Sequence, residues 1–143
     1  MSMTIREIHP EDYDAINVFW RNIDGIELDD SEDEQNFKFF LGRNKGMSFL
    51  ALDHDKIIGT CLASHNGRCG FLNHLAVAQN HRRKGIGRML VQKCLEMLQA
   101  EGIKKIYIFL SKKNVEAQAF WEHIGWFQYD QYLVMTIEAD INP

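Results

Sequence analysis

The residues best suited to chemistry in this chain form one run, Arg82-Arg83-Lys84-Gly85-Ile86-Gly87-Arg88. It lies between an apolar, strand-like segment, Leu72 to Val77, and a segment of helical period from about Gly85 to Ala100. At such a junction the unpaired N–H groups of the first helical turn converge with the positive end of the helix dipole, and an anion is the natural ligand. Gly85 and Gly87 let the backbone approach phosphate oxygens, and four basic residues add charge. None of these side chains is a nucleophile. The alternative is an ordinary helix start with exposed basic residues.

Two familiar phosphate motifs lack essential parts here. A P-loop needs Gly-Lys-Ser/Thr after a first glycine and four intervening residues, and nothing supplies it. A dinucleotide fingerprint needs a third glycine where Leu90 stands, and an acidic residue about 20 positions on, where Lys104 and Lys105 occur. What remains resembles the acetyl-CoA signature of the GNAT superfamily, Gln/Arg-x-x-Gly-x-Gly/Ala: here Arg82-x-x-Gly85-x-Gly87, entered from Leu72-Asn73-His74-Leu75-Ala76-Val77. A second segment is also similar to that family. Asn114, Ala117 and Phe120-Trp121-Glu122-His123-Ile124-Gly125-Trp126 resemble its Asn-x-x-Ala-x-x-Phe-Tyr-x-x-x-Gly-Phe.

The resemblance implies a single domain over 1–143 that binds acetyl-CoA as cosubstrate, with no metal, and transfers its acetyl group to a primary amine of a small molecule or peptide. It implies that Arg82, Arg83, Lys84, Gly85, Ile86, Gly87 and Arg88 hold the pyrophosphate largely through their N–H groups. Asn114, with Ala117 and Phe120, would contact the pantetheine arm. Strands ending at Val77 and following Lys105 would splay, leaving edges that the arm's amides can join like an added strand. An N–H among Leu75, Ala76 and Val77 would polarise the acetyl carbonyl.

An alkylammonium acceptor with a pKa of about 10 must lose a proton before it can attack. Asn73 stands where relatives often carry a carboxylate; it can orient a water or substrate but not act as base. His74 is of a type that can take the proton, or it is a hydrogen-bonded structural histidine. Strand alternation places Phe71, Asn73, Leu75 and Val77 on one face and Leu72, His74 and Ala76 on the other. Trp121 occupies the position of the family's tyrosine acid, and an indole N–H donates a hydrogen bond but no proton. Tyr107, Tyr129 and Tyr132 are the possible replacements, although a coenzyme A thiol can leave as thiolate unaided. Direct transfer in a ternary complex follows if no cysteine can form an acyl intermediate near the loop. A non-catalytic acyl-CoA-binding regulatory module is the competing class, motivated by Asn73 and Trp121.

The elements that must position these residues read as β-α-α-β-β-β-α-β-α-β, a mixed α/β fold: a mostly antiparallel sheet with one splayed parallel pair, flanked by about four helices. Thr4–Ile8 opens as a strand. Pro10-Glu11-Asp12 starts a helix with Ile16, Phe19 and Trp20 on one side, and Asp29–Glu34 starts a second with Phe37, Phe40 and Leu41. Ser48–Leu52, Lys56–His65 and Cys69–Val77 form a meander, the last two joined by a two-residue turn at Asn66-Gly67. A helix to Ala100 stops at Gly102, Ile106–Leu110 is a buried strand, Asn114 caps a short helix ending near Gly125, and Leu133–Ile137 closes the sheet. One more strand is possible at Trp126–Tyr129.

Composition sets the outer limits. The chain has 143 residues, 45% hydrophobic and 25% charged, enough for one core. A net charge of -4 argues against nucleic acid as the main partner. The opening Met1–Arg6 lacks a basic stretch leading into an apolar run, and no run of about 18 apolar residues occurs, so a cytoplasmic protein away from membranes is expected. Cys61, Cys69 and Cys94 do not match metal-site spacing, and Cys69 is expected to face Ser64 rather than Cys61, so reduced thiols are expected. The acidic group Asp29, Asp30, Glu32, Asp33 and Glu34 is either a solvated helix start or a lure for a cationic substrate; a homodimer is a further possibility.

Overall fold

The computed structural model describes residues 2–23, 26, 28 and 33–139. They fall into two compact units, 1–109 and 110–143.

The first unit carries the sheet. Strand β1 (Met3–Glu7) leads through a 3-10 turn (Pro10–Asp12) into α1 (Tyr13–Arg21). Pro10 suits that turn because its missing N–H would have been an orphan anyway. Asp12 fixes the corner: its carboxylate accepts from His9 N at 2.7 Å and takes two bonds from the Arg6 guanidinium, at 2.8 and 2.9 Å. Helix α2 (Glu34–Arg43) starts at Asp33, whose side chain accepts from Asn36 N at 2.7 Å. The expected start at Asp29 falls on residues outside those described, as do Asp30 and Glu32.

Strands β2 (Phe49–Asp53), β3 (Lys56–His65) and β4 (Gly70–Val77) form the expected meander, and α3 (Ile86–Ala100) connects β4 to β5 (Ile106–Ile108). The sheet order is β1-β2-β3-β4-β5, antiparallel throughout except for the parallel pair β4-β5. Gly102, at φ 82°, ends α3 as expected: Ile103 N donates to Leu98 O and Gly102 N to Gln99 O.

Neighbouring residues of β3 face opposite sides of the sheet, and each side has its own helices. Leu62 packs with Ile16 and Trp20 of α1, Phe37 and Leu41 of α2, and Leu50. On the other side, Cys94 Sγ of α3 lies 3.7 Å from Cys61 O. Gly59 permits a close approach there. A Cβ at this position would come within 3.0 Å of Leu90 Cδ1 and 3.2 Å of the Ala76 carbonyl oxygen, so the start of α3 is seated where only glycine fits.

Three turn and strand expectations are corrected. The β3-β4 connection is the four-residue loop Asn66 to Cys69, closed by Asn66 N donating to Cys69 O and by the Asn66 side chain accepting from Arg68 N and Cys69 N. Ser64 therefore faces Phe71, not Cys69. β5 is shorter than expected: it ends at Ile108, its residues are half-buried, and Phe109 beyond it is exposed.

The second unit holds α4 (Val115–His123), whose cap Asn114 accepts from Ala117 N at 3.0 Å. It ends at Gly125, φ 104°, with Trp126 N donating to Trp121 O. No strand forms at Trp126–Tyr129 or Leu133–Ile137 among the described residues. Leu133 and Val134, which an extended chain points to opposite sides, are 90% and 75% exposed. An apolar β-pattern encodes a surface to be covered, but strand structure needs a partner backbone.

Candidate functional site

Beyond Val77 the chain is held to the sheet by its backbone and one side chain. Ala78 N donates to Ile58 O at 2.8 Å, a 3-10 turn spans Gln79–His81, and Arg82 Nε donates to Val77 O at 3.0 Å. Arg83 and Gly85 then adopt left-handed conformations, φ 64° and 81°, which swing the chain into α3. The first bond of that helix start is Met89 N to Gly85 O at 3.0 Å, so the N–H groups of Ile86, Gly87 and Arg88 precede any intrahelical acceptor. Ile86 and Gly87 are buried, while Arg83, Lys84, Gly85 and Arg88 are exposed. A Cβ at Gly85 would meet nothing within 4 Å, so the space over this turn is open. Open space, orphan N–H groups and exposed cations together suit a phosphate group. The Arg82 guanidinium differs from its neighbours in bonding the end of β4.

Just before this loop β4 is irregular. Leu62 pairs with Asn73 and Thr60 with Ala76, so His74 and Leu75 together stand opposite Cys61 alone. This is a β-bulge, and His74 sits in it at φ 49°, a conformation rare for a non-glycine residue. The simple alternation expected for β4 is thereby overturned. Asn73 and Ala76 share the face of their partners Leu62 and Thr60, and Val77 lies on the opposite face with Gly59. An inserted residue shifts the period of two by one, which reverses every face assignment beyond it.

The bulge is held from beneath by side chains. Thr60 Oγ1 donates to the His74 carbonyl at 2.9 Å and accepts from Trp20 Nε1 at 2.9 Å, with Thr60 and Trp20 both buried. The His74 ring meets the Trp20 ring edge-on at 4.6 Å between centroids. On its other side β4 pairs with β5 only through Gly70, Phe71 and Leu72, so Asn73 to Val77 extend beyond the last strand partner.

At the far end of β2 the Asp53 carboxylate bonds two histidines, His81 Nε2 at 3.1 Å and His54 Nδ1 at 3.0 Å. These bonds, that from His81 foremost, hold its carboxyl below the ordinary range. Nothing in the sequence links Asp53 to His81, or Trp20 to Thr60; the fold alone brings them together.

Trp121 is buried in the second unit, its ring 4.8 Å from that of Trp126, beside Phe120. Tyr107 stacks obliquely on Phe71 at 6.0 Å, while Tyr129 and Tyr132 stack on each other at 5.1 Å. Cys61 and Cys94 are fully buried, and the Cys61 thiol is pushed well up by Cys94 and by burial, which keeps it from acting as a thiolate.

Residues 5–126 match the acetyltransferase (GNAT) family. The chain belongs to that family. GNAT proteins take their acetyl group from acetyl-CoA. Among relatives by sequence, N-alpha-acetyltransferase 30 of Schizosaccharomyces pombe is 29% identical over 98 residues, 65% of this chain and 65% of its own. The chain thus spans just under two thirds of that curated relative. Among solved structures, the PaiA N-acetyltransferase of Thermoplasma acidophilum in complex with coenzyme A superposes with a TM-score of 0.80 at 17% identity, over 92% of this chain and 94% of that one. A GNAT-family acetyltransferase of Staphylococcus aureus is 25% identical with a TM-score of 0.73, over 87% and 82% of the two chains. Among the described residues no group of three or more His, Cys, Asp and Glu side chains is arranged to hold a metal ion, and no helix is long and apolar enough to cross a membrane.

Proposed function

We propose that this GNAT protein is an N-acetyltransferase that acts on a primary amine of a small molecule or peptide, by direct transfer with both substrates bound. The observation that supports it most is the β4 bulge at His74–Leu75, beside an open strand edge and one turn ahead of an anion-seeking helix start. Acetyl-CoA supplies an activated thioester; the chain's part is to hold it and to stabilise charge.

In this reading the N–H groups from Arg83 to Arg88 hold the pyrophosphate, and Arg83, Lys84 and Arg88 add charge around it. The open edge of β4 from Asn73 to Val77 accepts the amide groups of the pantetheine arm, as a sheet edge accepts a peptide. A backbone N–H at the bulge donates to the acetyl oxygen, where negative charge grows as the amine attacks; a fixed donor of this kind is worth about 10²–10³ in rate. His74, half-buried at the same point, takes the amine's proton, and Asn73 orients the amine or a water. Burial of Cys61 and Cys94 leaves no accessible thiol there for an acyl intermediate, which favours direct transfer. Trp121 is assigned a packing role, so the thiolate leaves without a dedicated acid. Asn114, Ala117 and Phe120 keep the pantetheine-contacting role that the motif gives them. The family match, over residues 5–126, runs from the first compact unit into the second, in support of reading 1–143 as one functional domain.

The test is a thermal-shift and thiol-release assay on the purified protein with acetyl-CoA and a panel of polyamines, aminoglycosides and peptide N-termini. A rise in Tm with acetyl-CoA, together with thiol release dependent on one class of amine, is expected. Stabilisation by acetyl-CoA with no thiol release on any amine would favour the non-catalytic acyl-CoA-binding module. Stabilisation by NAD or ATP and none by acetyl-CoA would overturn both.

A further inference from the structure

The buried relay Trp20–Thr60 lies outside the residues assigned to binding or proton transfer, yet it ends on the bulge. A buried hydroxyl has one proton to give and lone pairs to accept with, and Thr60 uses both: it accepts from the Trp20 indole and donates to the His74 carbonyl. Both bonds measure 2.9 Å, and the Trp20–Thr60 bond joins residues 40 apart in sequence. Neither side chain reaches solvent, with Trp20 1% and Thr60 0% exposed. Thr60 could have been valine at almost the same volume if packing were all that mattered.

What the relay fixes is the direction of one peptide unit. The described residues contain no cis peptide bonds, and in a trans peptide the carbonyl and the following N–H point opposite ways. The carbonyl of His74 is drawn toward Thr60 on β3, so the N–H of Leu75 is turned to the side of β4 away from β3. On that side β4 has passed its last partner, Leu72 opposite Ile108 of β5. The left-handed φ of 49° at His74 is the strained conformation that this arrangement requires, and the Thr60 bond helps to hold it.

We infer that Thr60, backed by Trp20, is a positioning residue that aims the Leu75 N–H across the open edge of β4 at the acetyl carbonyl oxygen of the bound thioester. The inference rests on the proposed acetyl-CoA site and adds to it the side chains that pre-set its oxyanion donor. Neither residue touches the thioester. Their effect is on the angle of a donor, and preorganised donors lose their value when they must reorient.

The experiment compares binding of acetyl-CoA with that of S-ethyl coenzyme A, a thioether of the same shape without the carbonyl, by calorimetry on the full chain. It needs no knowledge of the acceptor amine. The wild-type protein should bind acetyl-CoA about fivefold more tightly than the thioether, the size of one net hydrogen bond. Thr60→Val should bring the ratio to about one while affinity for the thioether stays within about twofold. Thr60→Ser, which restores the hydroxyl, should recover most of the preference, and Trp20→Phe should fall between. If Thr60→Val does not fold, Trp20→Phe and Thr60→Ser decide the matter by the same ratio. A preference unchanged in Trp20→Phe and Thr60→Val, or an equal loss of affinity for both ligands, would overturn the inference and leave Thr60 a structural residue. A wild-type protein that binds the two ligands equally would overturn it too, with the coenzyme site intact. Binding of neither ligand to the wild-type protein would overturn the acetyl-CoA site itself and the relay with it.

Discussion

The loop before α3 and the bulge in β4 are adjacent in the chain but built on opposite principles. The loop presents exposed cations and the orphan N–H groups of a helix start. The bulge is held by fully buried, uncharged side chains from α1 and β3. A long, flexible anion is well served by a diffuse positive field that tolerates small movements. A single developing charge needs one dipole at a fixed angle. The contrast predicts that substitutions in the loop act on coenzyme affinity and leave the fold alone, whereas substitutions around the bulge act on stability and turnover.

Charge reversal in the loop gives the largest expected effect. The triple variant Arg83→Glu, Lys84→Glu, Arg88→Glu should weaken acetyl-CoA binding by about 100-fold, or about 2.7 kcal/mol, with Tm in the absence of ligand little changed because all three side chains are exposed. Unchanged affinity by calorimetry would place the phosphates elsewhere and remove one side of the comparison. Next is Gly59→Ala, whose Cβ would press on Leu90 and on the Ala76 carbonyl just past the bulge. It should destabilise the fold by about 2 kcal/mol in urea unfolding, with a loss of turnover larger than the loss of coenzyme affinity.

Trp121→Phe sharpens the assignment of the second unit. If this indole only packs against Trp126, turnover should fall no more than about tenfold, against about 10²-fold or more for a true general acid. A large gain in turnover from Trp121→Tyr would show instead that proton donation at this position is limiting.

The smallest effect concerns a corner remote from the loop. The Arg6 guanidinium, through its hydrogen bonds, holds the Asp12 carboxyl below the usual carboxylate range, with partial burial opposing it and the His9 N–H assisting. A depressed carboxylate stabilises the fold above its unfolded pKa of about 3.9 and loses that contribution as pH falls through its lower folded value. Asp12→Asn should therefore cost about 1 kcal/mol at pH 7, allowing for the partly exposed Arg6, and the difference from wild type should narrow below about pH 4 in thermal unfolding. A difference that is constant with pH would assign the effect to the turn rather than to the charge.

Much of the fold was legible because the signals are local. Asn114 caps α4, Gly102 and Gly125 end α3 and α4, and the apolar period of α3 runs through Leu90, Val91, Cys94 and Leu98; in each case the cause lies within a few residues of the effect. The expected strand at Leu133–Ile137 failed for the complementary reason, since a β-pattern says only which face wants cover. The Asn66-Gly67 turn failed because the Asn66 side chain reached on to Arg68 N and Cys69 N and lengthened the loop.

By itself the sequence determined the family, the order of the elements from β1 to α4 and the glycine-rich start of α3, because such a helix start is set by backbone freedom over a few consecutive residues. Only the tertiary structure decided which face of β4 carries Asn73 and which carries Val77, and what holds His74 in place. A bulge depends on an extra residue opposite Cys61, and its support comes from Thr60 on β3 and Trp20 on α1. No local rule connects those three segments; they meet because burying Trp20 in the core leaves its indole N–H in need of an acceptor, and Thr60 supplies it.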